Sequence, residues 1–466
     1  MNQIIAEIAS ILKDSETLID SEIRLDQYLP QVMCALVSKA IEMIDLELIH
    51  SYKERGYEIE KTMKRTVQFS YGGVEIRRRR MRKEGKKSVV PLDEAIGLEE
   101  YIRYSPLVEM KAAKVASDGV YRKAADAINL LTPLQVSHTT VHKMVQKTGE
   151  KVQKWTDEAP SHIETPQKEK KKVPVLFIEG DGLLLKGRGE KNPELHRVQF
   201  HEGVTYVGKQ KRPVLIESQV FESTVSSKEA FKRAGRWLEA TYDIRETIVV
   251  SNSDGGSGYE KDKFEQIIGK CKKHEHFRDP YHVNEKINQR LSFDKPMIFE
   301  MKKAVSAYDK ERVLSVLATT ESRIEDEEKR ADNIEHLRLL GAYLDRNWES
   351  IRPLKMRDLP VRNGIGICES NHRPYSYRMK RQGRGFSAKG AGNLASIISA
   401  CKNGTLLEAL RAELPAFEKA IVPEFKGAVR AVLKKVNRPS VGVKMGEIAN
   451  YGSTSSPMGQ LKKMFG

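Results

Sequence analysis

The feature that most narrows the fold is an unbroken apolar run, Val173 to Ile178, ending in Glu179-Gly180-Asp181-Gly182. Apolar residues without polar alternation describe a strand covered on both faces. The pattern returns in ETIVVSNSDGG, where Thr247 to Val250 form the strand and Asp254-Gly255-Gly256 its end. Two further strand patterns lie between them. RVQFHEGVTYVG alternates through Val198, Phe200 and Val204 to Val207, and PVLIESQVF runs from Pro213 to Phe221. Residues 227–242 read as a helix with Phe231, Ala234, Trp237 and Leu238 on its inner face. A short helix around Phe264 to Ile268 and a weaker strand in KHEHFRDPYHV follow.

The order βββ-α-β-α-β is an RNase H-like order, a mixed sheet flanked by helices. Its first and fourth strands are neighbours, so Asp181 and Asp254 are expected to follow those strands side by side. Two such acids raise one another's pKa, and a divalent cation relieves the conflict. Mg²⁺, or Mn²⁺, takes few carboxylates and keeps waters for a phosphate substrate. Two ions about 3.5–4 Å apart activate an attacking water or 3′-hydroxyl and stabilise the leaving oxygen. The flanking glycines are read as room for a phosphate backbone; the plainer reading of each Asp-Gly is a turn signal. Glu369 is the candidate third acid, and Glu179 is set aside as facing away. Asn371, His372, Arg373, Arg378, Lys380, Arg381 and Arg384 follow Glu369 and suit a phosphate backbone. His274, His276, Asp279 and His282 match no structural zinc spacing. His282 is placed instead near the scissile phosphate or a metal-bound water.

Residues 1–65 read as helices, with Ile4, Ile5, Ile8, Ile11 and Leu12, then Val32, Leu36, Ala40, Ile41, Ile44 and Leu48, at helical spacing. Over 66–100, two short strands around Gly72-Gly73 predict a hairpin whose second strand enters Arg77, Arg78, Arg79, Arg80, Arg82, Lys83, Lys86 and Lys87. Cations this close repel unless neutralised, which favours a phosphate-contacting arm over a solvated loop. In 101–158, Tyr121, Ala124, Ala125 and Ile128 mark one helix, Thr132-Pro133 breaks it, and Ser137 caps a second. That helix turns Val141, Met144 and Val145 inward and Thr139, Thr140, Lys143, Gln146 and Lys147 outward, as in a helix-turn-helix. The polar stretch 159–172 reads as a linker. Residues 173–282 form the first part of the sheet domain. Residues 283–358 form an all-helical insertion with Trp348 buried against Ile334, Leu337 and Leu344. Residues 359–436 close the domain, and 437–466 are a polar tail.

The chain of 466 residues carries 80 Lys and Arg against 64 Asp and Glu, a net +16 that points to a polyanion. No apolar stretch is long enough to span a bilayer, so a soluble, cytoplasmic protein is expected. The four cysteines, Cys34, Cys271, Cys368 and Cys401, form no CxxC pair and fit a reducing compartment.

Several motifs together resemble a bacterial insertion-sequence transposase of the ISLre type, a Mutator-like DDE group. They are FSYGGVEIRRRRMR with VVPLDEAIGL, YRKAADAINLLTPLQVSHTTVHKMV, FIEGDGLLLKG with ELHRVQFHEGV, VVSNSDGGSGY, FRDPYHVNEKI, and CESNHRPYSYRMKRQGRGFSAKGAGNLASI. The resemblance covers most of the chain. It implies an α+β, multidomain protein: a helical DNA-binding N-terminal region with a helix-turn-helix, then an RNase H-like mixed-sheet catalytic domain with an all-helical insertion. It also implies that Asp181, Asp254 and Glu369 hold two Mg²⁺ or Mn²⁺ ions for strand cleavage and strand transfer. The partners would be double-stranded DNA, as terminal inverted repeats and target, with the chain a homo-oligomer on DNA, associated with the nucleoid. A non-catalytic helix-turn-helix regulator and an RNase H-like nuclease without strand transfer are the alternatives.

Overall fold

The computed structural model describes residues 2–163, 169–189, 191–209, 211–324, 329–361, 365–366, 371–412 and 414. The chain opens with α1 (Asn2–Lys13) and α2 (Leu18–Glu54); Thr17 caps α2 by accepting from the Asp20 amide. α2 runs on through Pro30, and its inner face buries Ile41, Asp45 and Ile49. A hairpin packs against it, β1 (Glu58–Phe69) and β2 (Gly72–Arg82), with Ser70-Tyr71 as the turn. Both strands are longer than expected, and Arg77 to Arg82 lie inside β2 rather than in a loop. α3 (Pro91–Ala95) closes this unit, with Leu92 against Val67, Val74 and Ile76.

α4 (Pro106–Asp118), α5 (Tyr121–Leu131) and α6 (His138–Ile163) follow. The connection between α5 and α6 is held by Asn129, whose side chain donates to the Val136 carbonyl at 3.1 Å and accepts from its amide at 2.8 Å. Ser137 Oγ accepts from the Thr140 amide and starts α6. Val141, Met144 and Val145 are buried, as the spacing predicts. α6 nevertheless continues to Ile163, into the stretch read as a linker. It also touches α4, α5, α7 (Ser227–Thr241) and α14 (Ala388–Asn403).

The central sheet is mixed. β3 (Val175–Leu184), β4 (Glu194–His201), β7 (Gln219–Ser223), β8 (Ile248–Ser253) and β9 (Lys273–Arg278) lie in the order β7-β4-β3-β8-β9. β3, β8 and β9 are parallel, β4 is antiparallel to β3, and β7 is antiparallel to β4. The two patterns expected between 198 and 221 are each broken in two. β4 stops at His201, Gly203 turns the chain at φ 135°, and β5 (Val204–Val207) pairs with β6 (Arg212–Leu215) as a separate hairpin. The alternation there is not a buried face, since Tyr206, Val207 and Val214 are exposed.

One face of the sheet is apolar. Ile178, Val198, Phe200 and Phe221 pack under Phe231, Ala234 and Leu238 of α7 and Phe264 of α8 (Lys261–Ile268). The other face has an apolar patch at each end. Leu183, Leu195 and Val220 meet Tyr375, Met379 and α14, and Phe177, Val250 and Phe277 lie against Leu354 and Leu359. Between the patches runs a buried polar band of Glu179, Arg197, Gln199, Glu222 and Asn252.

After β9 come α9 (Pro280–Arg290), α10 (Lys295–Ser306), α11 (Lys310–Ser322), α12 (Arg330–Arg346) and α13 (Trp348–Ile351), with a core of their own. Trp348 is half-buried rather than largely buried; it sits at the edge of that core, stacked on Tyr308 at 4.7 Å. α15 (Leu406–Ala412) ends the described elements. Among the described residues no helix is long and apolar enough to cross a membrane.

Candidate active site

The parallel register aligns the ends of three strands. Gly180 of β3 is paired with Ser253 of β8, and Ser253 with Arg278 of β9. The next residues are Asp181, Asp254 and Asp279, on strands about 4.8 Å apart. Asp181 was expected to follow its strand but lies within it. β3 continues to Leu184 on its pairing with β4, where Asp181 lies opposite Arg197. Asp279 caps α9, its Oδ1 accepting from the Tyr281 amide at 2.8 Å.

Asp181 is held from two sides. Its Oδ1 accepts from the Gly182 amide at 2.7 Å and its Oδ2 from His372 Nε2 at 2.6 Å. Burial opposes the Asp181 charge, but the bond from His372 and the Gly182 amide together hold the carboxyl below its ordinary range. Burial pushes His372 below the usual imidazole value, against the pull of Asp181. His372 was expected on a phosphate backbone; it faces a carboxylate instead.

Asp254 sits on the loop that leaves β8, where its Oδ1 accepts from the Gly256 amide at 2.8 Å. The loop is tied down by Tyr259. The Tyr259 hydroxyl donates to the Asp181 carbonyl at 3.0 Å and bonds His196 Nδ1 at 2.9 Å, and its own carbonyl accepts from Ser253 Oγ at 2.8 Å. Burial and the carboxylates of Glu194, Asp181 and Asp254 push the phenol upward, so it stays a donor.

The glycines serve a different end from the one expected. An ideal Cβ on Gly180 would lie 3.0 Å from both Phe264 and Tyr259, and one on Gly182 would lie 2.3 Å from Glu194 Oε1. Gly255, at φ 74°, lies under the Arg278 guanidinium, which leaves no room for a side chain. These glycines admit protein groups rather than a phosphate backbone. Glu179 is not turned away from Asp181 either. Two residues apart in one strand, they share a face, and Glu179 is simply deeper, at 2% exposed.

Of the remaining site candidates, Glu369 lies outside the described residues, as does Cys368; Cys34, Cys271 and Cys401 are free thiols. His282 is on the first turn of α9, within reach of Glu285 at 3.5 Å, and its charge acts on Asp181. His274 and His276 both bond Ser251 Oγ on the opposite face of the sheet. Among the described residues, no three His, Cys, Asp or Glu side chains gather as the ligands of a metal ion. A cleft of about 830 Å³, lined by Lys170, Lys172, Arg236 and Arg245, lies against α7 and α8 and does not include the acids.

The cations expected to meet DNA divide into two sets. Arg78 pairs with Asp93 and Arg79 with Asp45, whose side chain is fully buried. Arg77 reaches Glu42 at 3.8 Å and Arg80 reaches Glu60 at 3.3 Å, each still partly in water, and Arg82 is exposed. The repulsion within the run is therefore answered largely by carboxylates of the chain itself. Arg378 is not a surface contact: at 1% exposed, it donates to the Ala116 carbonyl at 2.9 Å and lies over the Tyr121 ring. Lys380 and Arg381 are exposed. On α6, Thr139 and Lys143 are exposed and Thr140 is half-exposed. Gln146 instead accepts from Asn393, and Lys147 pairs with Glu109 at 3.0 Å and Glu99 at 3.4 Å. The outward face is shorter than expected because α14 and α4 cover α6 beyond its first turns.

Fold and site together define an α+β protein of several units whose mixed sheet carries two acids side by side where the parallel pairing of β3 and β8 ends. The chain belongs to the UPF0236 family: the model of that uncharacterised protein family matches residues 12–414. It is 38% identical over 461 residues to the UPF0236 protein in the vanSb 3′ region of Streptococcus gallolyticus, covering 99% of each chain. It is 24% identical over 377 residues to a UPF0236 protein of Caldanaerobacter subterraneus subsp. tengcongensis, covering 78% of this chain and 74% of that one. A second protein of that organism matches equally, with 70% of its length covered.

Proposed function

We propose that this chain is the transposase of an insertion sequence, a DDE enzyme that binds terminal inverted repeats and carries out metal-dependent DNA cleavage and strand transfer. The observation that carries the reading is the β3–β8 register, which makes Asp181 and Asp254 neighbours where the parallel pairing of the two inner strands ends. The strand order β7-β4-β3-β8-β9 supports an RNase H-like catalytic domain. The α5–α6 pair, with its Asn129-braced connection and free Thr139 and Lys143, supports a helix-turn-helix. The names of the two Caldanaerobacter relatives join four and two locus designations, which suits a repeated element.

Two carboxylates, one kept ionised by a buried histidine, fit a hard cation that takes few protein ligands and keeps its waters. Asp181 and Asp254 would hold Mg²⁺ or Mn²⁺. The chemistry such ions would supply is activation of an attacking water or 3′-hydroxyl and stabilisation of the leaving oxygen. The chain orients the acids: Gly182 and His372 fix the Asp181 carboxylate, and Gly256 and Tyr259 fix the Asp254 loop. His282 stands on the first turn of α9.

The test is cleavage of duplex DNA carrying the sequences that flank the gene, with Mg²⁺ present. The wild-type chain is expected to cut at the element boundary and join the end to a target. Asp181→Asn and Asp254→Asn should each lower cleavage by roughly a hundredfold or more while DNA affinity stays near wild type. Cleavage by either variant at close to the wild-type rate would overturn the mechanism.

A further inference from the structure

α2 has two faces. One, with Ile41, Asp45 and Ile49, is buried on the hairpin side. The opposite side carries Leu18, Glu22, Leu25, Leu29, Val32, Leu36, Lys39 and Met43, spaced alternately by four and three residues. That is the 3.5-residue repeat of a coiled-coil seam rather than the 3.6 of a helix lying on a core. Leu18, Leu29 and Leu36 are 75%, 45% and 55% exposed, and Leu25, Val32 and Met43 are only half-buried. Beside the seam, Ile19 and Met33 are 64% and 46% exposed.

We infer that this seam joins α2 to the α2 of a second copy of the chain, antiparallel, around a twofold axis passing between Leu29 and Val32. Charge sets the direction. In a parallel pair Glu22 would face the partner's Glu22, and Lys39 the partner's Lys39. In the antiparallel pair every seam position meets its complement. Leu29 faces the partner's Val32, Leu25 the partner's Leu36, Leu18 the partner's Met43, and Glu22 the partner's Lys39. Lys39 bonds Glu42 of its own helix at 2.9 Å, an exposed pair that is readily exchanged. The seam is about 38 Å long at 1.5 Å per residue. The exposed parts of its apolar residues and their neighbours come to on the order of 650 Å² per copy, near the ~800 Å² that each partner of a standard interface buries. Such a self-complementary patch is what a twofold dimer requires.

Sedimentation of the full chain without DNA, at micromolar concentration, tests this. The wild type is expected to be a dimer. Glu22→Lys and Lys39→Glu should each raise the dissociation constant about tenfold or more, and the double exchange should restore it. Leu29→Glu with Leu36→Glu should yield a monomer with unchanged helix content and a thermal midpoint that no longer rises with protein concentration, because within one copy both side chains stand half in water. A monomeric wild type overturns the inference. If a chain ending at Leu414 then dimerises, the seam belongs to the protein's own residues 415–466. A dimer that survives the paired leucine change also overturns it. Single charge exchanges without effect would rule out the antiparallel pairing. All of these readouts are independent of any cleavage activity.

Discussion

Tyr259 joins the two acid-bearing segments through one hydroxyl, which donates to the Asp181 carbonyl and bonds His196. Its ring lies among Phe231 and His196, so Tyr259→Phe keeps the packing and removes only the tie. The buried Asp181 carbonyl and His196 Nδ1 lose a partner, at a cost of about 1–2 kcal/mol in urea unfolding. With the Gly-rich loop less firmly placed, cleavage per bound DNA should fall about tenfold while binding is unchanged. Wild-type cleavage by this variant would mean that the loop is positioned by other contacts. Tyr259 stands inside a motif that the sequence makes conspicuous, VVSNSDGGSGY, yet nothing in that spacing marks its hydroxyl. His372 is similar, because only the fold carries it back to Asp181 across the chain.

At the scale of elements, β2 shows how a strand sorts a run of like charges. Met81 and Ile76 go into the core, while Arg78 and Arg79 turn to carboxylates brought by α3 and α2. Burial pushes Asp45 toward its neutral form and Arg79 pulls it back. Arg79→Ala would leave that carboxyl buried and unpaired, an expected loss of about 3 kcal/mol or more in urea unfolding. Arg77→Ala with Arg82→Ala should leave stability within about 0.5 kcal/mol. If these two side chains meet phosphates, the same pair lowers the salt slope of DNA binding by about 2. An unchanged slope would remove β2 from the DNA-binding surface. The arginines were legible as a charge problem; which carboxylate answers each one depends on α2 and α3 packing beside the strand.

For the molecule as a whole, α6 is the common support. It carries the first turns that face outward, pairs Asp157 with Arg233 of α7 at 2.7 Å, and lies against α14. Gly149 makes the last contact possible: an ideal Cβ there would stand 2.4 Å from the Asn393 carbonyl. Asn393 meanwhile bonds Gln146 and Gln153, so it has little freedom to withdraw. Gly149→Ala should therefore destabilise the chain by about 1–3 kcal/mol, despite alanine's better helix propensity. A stabilised variant in urea unfolding would show that α6 and α14 separate readily.

The sequence alone determined the elements whose pattern is set by local burial. The apolar runs before Asp181 and Asp254, the α7 stripe and the Ser137 start of α6 all follow from side-chain period and capping. The adjacency of the first and fourth strands was legible too, from the RNase H-like order of elements; that they pair in parallel is seen only in the fold. Tertiary structure decided whatever depends on partners distant in sequence. It ended β4 at His201, put Arg378 over Tyr121 and aimed Gln146 at Asn393, and it filled the glycine gaps with Tyr259, Phe264 and Glu194. A long polar side chain reads the same in sequence whether it meets water, phosphate or a buried carboxylate. Only the elements packed around it select among them, because burial makes an unanswered charge too costly to leave.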